Sequence, residues 1–253
     1  MSHSTPSDSL RELYERHAEL YPAPAPPPEA GLHLKFERVW GAVRDALPRE
    51  RFLDAGCGDG RYLAAFARER DRPARIVGTD IAERILETAR ETIAEAGVDA
   101  ELVRANLESL PFGDGEFDLV LCTQVIEHLL EPGRGVRELA RVLTSRGVLV
   151  LSTDHSRNLV TKVLNAPRTA LVGLLRLRGR RTYVAFPHAS FTISELRGLL
   201  ADAGLVVTRL ETFRFHLDWP LDHPRILRLL NKADRALSPH RLGDLLLVVA
   251  EKT

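Results

Sequence analysis

The stretch Leu53-Asp54-Ala55-Gly56-Cys57-Gly58-Asp59-Gly60 constrains the fold more than any other part of the chain. It continues a short run, Arg51 to Asp54, with strand character, and precedes a helical pattern that places Leu63, Phe66 and Ala67 on one face. Glycine reaches backbone conformations that side chains resist, so such a loop can turn a strand into a helix and let a ligand approach the backbone. In open α/β sheets ligands bind beyond the carboxyl ends of the strands. A tight turn alone would also explain the glycines, so spacing has to discriminate. A dinucleotide fingerprint needs glycine at the first, third and sixth positions. Here the sixth is Arg61, and Asp59 puts a carboxylate where a pyrophosphate would lie.

The rest of the chain repeats that rhythm. Strand character recurs at Arg75 to Asp80, Ala100 to Asn106, Phe117 to Cys122 and Gly147 to Thr153. Helical patterns fill the intervals at Ala82 to Glu95, ended by Gly97, and at Arg134 to Leu143. Strands alternating with helices of this length predict right-handed βαβ units in a mainly parallel, doubly wound sheet. Past Thr153 the rhythm breaks for about 38 residues. Thr192 to Ala203 then reads as a helix that Thr192 can cap and Gly204 can end. Strands Leu205 to Phe213 and Leu245 to Glu251 follow, separated by a stretch with a helical segment at Pro224 to Leu237. They are expected to form an antiparallel edge.

Two polar residues sit at the ends of the next strands. Asp80 can accept hydrogen bonds from both hydroxyls of a ribose, and it can equally cap the helix from Ala82; the two roles are compatible. Ile81 can cover an adenine face, and Asn106 can meet the adenine amino edge through its amide oxygen, with Leu107 alongside. Leu110-Pro111-Phe112 and Phe117-Asp118-Leu119-Val120 come next, then Gly147-Val148-Leu149-Val150.

Over about residues 50–153 this combination resembles the class I S-adenosylmethionine-dependent methyltransferases. The resemblance implies a Rossmann-like α/β fold with a seven-stranded sheet and an antiparallel last strand. It also implies S-adenosyl-L-methionine as cofactor, with Asp54, Gly56, Cys57, Gly58 and Gly60 at its methionine part and Asp80 and Ile81 at the ribose and adenine. Asn106 and Leu107 then flank the adenine, and Thr123 and Gln124 face the sulfonium or amino group. Many relatives carry Asp where this chain has Asn106, but an amide oxygen accepts the same bond.

Catalytic chemistry points to Glu127 and His128, after the fourth strand. An imidazole with a pKa near neutrality can take a proton from a hydroxyl nucleophile. The bland reading is that both residues merely shape a turn. Together with Glu131-Pro132 the stretch looks like the ubiquinone-pathway O-methyltransferases, some of which use a divalent cation. The residues here offer no dedicated set of oxygen ligands, so no metal is assigned. The expected reaction is O-methylation of a small apolar or aromatic molecule, quinone- or lipid-like. N- or C-methylation of a small natural product is the alternative, and an RNA methyltransferase or a non-catalytic cofactor-binding module are the alternatives of other classes.

Charge enters at this point. The 253 residues hold 35 Lys+Arg and 35 Asp+Glu, a balance that argues against a protein devoted to nucleic acid. Yet residues 155–194 carry seven basic residues and no acid. Within about 155–190, the segment 157–181 interleaves those cations with leucines and valines, as a helix resting in an anionic membrane interface would. A lid over the acceptor pocket or a partner surface fits equally. The small-molecule acceptor is the expected partner, and the oligomeric state stays open. Two cysteines, Cys57 and Cys122, give no disulfide framework. With no secretory signal at Met1 to Pro6, a cytoplasmic protein, peripheral at the membrane if the insertion binds there, is expected. Residues 1–48 read as a helical lid with a proline-rich connector at Tyr21 to Pro28, carrying Tyr14, His17, His33 and Lys35 over the cofactor mouth. Residues 49–253 read as the methyltransferase domain.

Overall fold

The computed structural model describes Glu12, Tyr14 and Glu15 together with residues 34–156, 189–213 and 243–253. The connector, His17, His33, the body of the basic insertion and the segment Pro224 to Leu237 lie outside the described residues, as does His188, which the sequence offers either as a lining of the acceptor pocket or as the brace of a turn.

Seven strands make one sheet: β1 (Arg51–Ala55), β2 (Arg75–Asp80), β3 (Glu101–Arg104), β4 (Phe117–Thr123), β5 (Leu143–Asp154), β6 (Leu205–Phe213) and β7 (Leu245–Lys252). Their order is β3-β2-β1-β4-β5-β7-β6. The pairs from β3 to β5 are parallel, and β7 runs antiparallel to both β5 and β6. The last strand is therefore antiparallel, as expected, but it slots between β5 and β6 and leaves β6 at the edge.

Five α-helices are described: α1 (Leu34–Asp45), α2 (Arg61–Ala65), α3 (Glu83–Ala96), α4 (Pro132–Val142) and α5 (Ile193–Asp202). Their ends follow local chemistry. Gly97 closes α3 in the left-handed region at φ 66°. Thr192 and Glu195 form a reciprocal capping box at the start of α5, which satisfies two amides that would otherwise lack partners.

Strand alternation divides the core in two. Leu53, Ala55, Val120, Leu149 and Leu151 face α4 and α5, packing with Val136, Leu139, Leu196 and Leu200. Phe52, Leu119, Leu121, Val148 and Val150 face the other way, toward Val39 and Val43 of α1, Leu63 of α2 and Leu86 of α3. Because β1, β4 and β5 are covered on both faces, they read as continuous apolar runs. The carboxyl ends of β1, β2 and β4 consequently converge on one rim.

Candidate functional site

At that rim lies a cavity of roughly 430 Å³, within the range of small-ligand sites. Its floor is the glycine loop. The backbone amides of Gly56 and Cys57 both donate to the Thr79 carbonyl, at 2.8 and 2.7 Å, which staples the end of β1 to β2. Gly56 and Gly60 have φ of 86° and 77°, values that L side chains rarely adopt. A Cβ on Gly56 would collide with Val125, and one on Gly60 would stand 3.1 Å from Ala89 of α3. Close packing of loop against helix and β4 end thus demands glycine at both positions.

Asp80 ties the floor to the wall. Its Oδ2 accepts from Gly58 N at 3.2 Å, and its Oδ1 accepts from Ala82 N at 3.1 Å. Burial pushes its carboxyl up, with these backbone donors and that of Ile81 pulling the other way. The same carboxylate lines the cavity beside Ile81, so the capping and ligand-facing geometries coexist.

Beneath the loop, Asp54 is 1% exposed and neither carboxylate oxygen has a hydrogen-bond partner. Burial first, then the negative charges of Asp80 and Asp59, push its pKa well up. An acid in such surroundings is held neutral unless a cation approaches. The Gln124 side-chain amide is also buried without a partner at Nε2, on a residue whose φ is 55°. Positive φ on a non-glycine residue is costly and clusters at functional sites. An acidic floor with unspent donor and acceptor atoms suits a ligand with an ammonium and a sulfonium group. The Asp80 carboxylate on the cavity wall suits a ribose diol.

Of the residues singled out in the sequence, Gly56, Cys57, Gly58, Asp80, Ile81, Leu107, Thr123, Gln124 and His128 line the cavity. Asp54, Gly60, Asn106 and Glu127 do not. Asn106 turns its amide oxygen onto its own loop, where it accepts from Glu108 N at 2.9 Å. The cavity wall there is made by Ala105 and Leu107. Glu127 is 1% exposed and accepts from the Thr153 hydroxyl at 2.8 Å, behind the cavity. His128 closes a short 3-10 turn, Ile126–His128, with its amide donating to Val125 O at 2.9 Å. The adjacent pair Glu127-His128 is thus divided, one inside the protein and one on the cavity.

The sequence did not single out Val125, Tyr62, Arg84 or Thr88, all of which line the cavity. Tyr62 has a detectable signal in hindsight: it lies two residues past Gly60, on the first turn of α2. Its phenol is fully enclosed, and burial drives its pKa up. Tyr14 and Lys35, assigned to the lid, also line the cavity, and the Tyr14 ring meets His128 edge-on with centroids 6.2 Å apart. Among the described residues, no group of three or more His, Cys, Asp or Glu side chains gathers as a metal site. No described helix is long and apolar enough to cross a membrane.

Comparison with known proteins agrees with this geometry. A family described as "Methyltransferase domain" matches residues 53–151. The ubiquinone biosynthesis O-methyltransferase of Hahella chejuensis is 38% identical over 111 residues, 44% of this chain and 45% of that protein. The protein of the same name from Thiobacillus denitrificans is 32% identical over 168 residues, 66% of this chain and 68% of that one. The matched region therefore spans less than half of the first relative and about two thirds of the second. Among solved structures, magnesium protoporphyrin IX methyltransferase from Synechocystis PCC 6803 with bound SAH superposes with a TM-score of 0.57 at 18% identity. That match covers 100% of this chain and 90% of the other, and at such identity it speaks for the fold. From the glycine loop, the sheet order and these relatives together, the chain belongs to the class I S-adenosylmethionine-dependent methyltransferases and is similar to the enzymes of the ubiquinone pathway.

Proposed function

We propose that the enzyme methylates a hydroxyl oxygen on a small apolar or aromatic molecule, quinone- or lipid-like, with His128 as general base. The observation that carries this reading is the position of His128 on the cavity that the glycine loop floors. It is the one imidazole among the described residues that lines the cavity, since His155 is buried with Nδ1 at 3.0 Å from the Gly243 carbonyl oxygen. Val125 and Leu129 give that side of the cavity apolar surface, and the names of the ubiquinone-pathway relatives support an oxygen acceptor.

In this reading the loop Gly56 to Gly60 and Gln124 hold the methionine end, Asp80 holds the ribose, and Ile81, Ala105 and Leu107 enclose the adenine. Asp54, neutral beneath the loop until a cation approaches, supplies a counter-charge to the bound ligand without touching it. S-adenosylmethionine supplies an electrophilic methyl carbon. His128 takes the proton of the acceptor hydroxyl while the oxygen forms its bond to that carbon; the carbon–sulfur bond breaks and its electron pair stays on sulfur. Glu127, fixed by Thr153, holds the backbone turn from which His128 projects. Positioning and exclusion of water supply most of the acceleration in such a displacement.

A panel of hydroxylated aromatics offered with labelled methyl donor tests the acceptor class. The His128→Ala variant is expected to bind cofactor as the wild type does while turnover falls about a hundredfold or more. Retained turnover would remove the base. Label recovered only on nitrogen or carbon would overturn O-methylation.

A further inference from the structure

The start of α3 has an unusual supply of partners. Ala82, at its N-cap, has no side chain that can serve the free amides of the first turn. Asp80 takes Ala82 N, and Glu15, 68 residues upstream of the helix, takes the next two. Its Oε1 accepts from Glu83 N at 2.8 Å and its Oε2 accepts from Arg84 N at 3.4 Å. A carboxylate at this end of a helix gains both from the orphan donors and from the helix dipole. Glu15 is also close enough to Asp80 to contribute to the upward push on that carboxyl.

What makes this more than a cap is the neighbouring residue. Tyr14 lines the cavity, and its ring stands 74° to the His128 ring at 6.2 Å, an edge-on arrangement that aromatic pairs favour. Two consecutive residues therefore reach two walls: Glu15 the helix behind Asp80 and Ile81, Tyr14 the imidazole after β4. Arg84, Ile85 and Thr88 of that same helix also line the cavity.

We propose that Glu15 is a positioning residue: by fastening onto the amino end of α3 it holds Tyr14 across the cavity and so seats the His128 ring. Residues 14 and 15 act as a strap between the cofactor wall and the reacting side. The proposal deepens the reading of His128 as base and rests on it for its catalytic meaning, but the contact itself can be tested apart from catalysis.

The measurement is histidine-ring NMR on the full-length, cofactor-free protein, with the His128 resonance identified by its loss in His128→Asn. Tyr14→Leu removes a ring current and is expected to move the His128 signals, whereas Tyr14→Phe keeps the ring and should largely preserve them. Glu15→Ala is expected to move them in the same direction as Tyr14→Leu. Stopped-flow dissociation of S-adenosylmethionine should accelerate about twofold to thirtyfold in Glu15→Ala, the range of a lost helix cap. Should Glu15→Ala fold poorly, Glu15→Gln keeps an acceptor oxygen and the shape, and should show the same changes at smaller size. A cap that only stabilised α3 would lower the unfolding temperature and leave His128 unmoved. His128 signals at wild-type positions in both Glu15 variants, or in Tyr14→Leu, would overturn the strap. If His128→Ala kept its turnover the base would fall, while the NMR result would still decide the strap.

Discussion

Asp80 and Asp54 illustrate how the same residue type does different work on neighbouring strands. Asp80 spends its oxygens on Gly58 and Ala82 and still faces the cavity. In Asp80→Asn one amide oxygen can replace only one of these acceptors and the charge is lost. Cofactor affinity is expected to fall about tenfold to a hundredfold, the size of a hydrogen bond to a charged group, as calorimetry would show. Unchanged affinity would remove Asp80 from the ribose. Asp54 has no such partners, and its carboxyl is raised well above its ordinary value of 3.8. The sign of its pH dependence follows. Below that value both folded and unfolded forms hold the proton, and the residue is neutral in the balance. As pH rises, the unfolded chain gives up the proton first, so stability is lost over the interval up to the raised folded pKa. Asp54→Asn is expected to unfold at a higher temperature than the wild type at neutral pH, with the gap closing toward pH 4. A gap that is constant with pH would contradict a raised Asp54. The cavity positions of Gly56, Gly58, Asp80 and His128 were legible because each stands at or just past the carboxyl end of a strand, where open α/β sheets place their ligands. Asn106 was not, because nothing local says whether an amide closes its own turn or faces a ligand. The opposite fates of Glu127 and His128 were hidden too, since a single 3-10 turn decides which of two neighbours points inward.

At the level of elements, strand and helix identities followed from periodicity, the cap at Thr192 from its hydroxyl, and that at Gly97 from its freedom to take a positive φ. The beginning of β5 did not. The chain reads as a strand only from Gly147, yet it becomes extended at Leu143, which pairs with Phe117 before the register shifts. Half-buried Thr144 and exposed Ser145 and Arg146 are all polar and carry no apolar alternation to announce this. The helix α4 also has a task beyond burial. Arg141 donates to the carbonyls of Leu110 and Phe112 and to Glu138, while Glu138 accepts from Leu110 N at 2.8 Å. These bonds moor the segment that follows Ala105 and Leu107 on the cavity wall. Arg141→Met takes this donor from two carbonyls and from the carboxylates of Glu138 and Asp114. It is expected to destabilise the protein by about 1–3 kcal/mol and to weaken cofactor binding more than it lowers the rate at saturating cofactor. Denaturant unfolding and a KM-against-kcat comparison would check both, and a rate effect without a cofactor effect would count against the mooring.

For the molecule as a whole, the doubly wound plan was readable from alternation, but the place of β7 was not. Nothing in a strand's own residues states which neighbours it will join, and the slot of β7 is defined by β5 and β6 together. The neutral total charge likewise hid a division into +7 for residues 155–194 and −7 elsewhere. If segment 157–181 meets anionic membrane, the protein should sediment with anionic liposomes and release at high salt, each basic residue near the surface adding about 1 kcal/mol. A chain lacking 157–181 should sediment less. Equal sedimentation would leave the segment to the acceptor or a partner.

The root of that segment is closed independently of what it holds. His155 bridges Phe191, Ser156 N donates to Phe191 O, Phe191 N donates to Asp154 O, and Ala189 N donates to Glu127 O. A clasp of backbone bonds tolerates changes in the sequence it encloses, because the bonds do not depend on side chains. Another stretch grafted into the same root is therefore expected to leave the cofactor frame folded, which cofactor binding by the graft would check. If the enclosed stretch touches the acceptor, acceptor preference becomes an exchangeable cassette, anchored at Glu127, one residue away from His128.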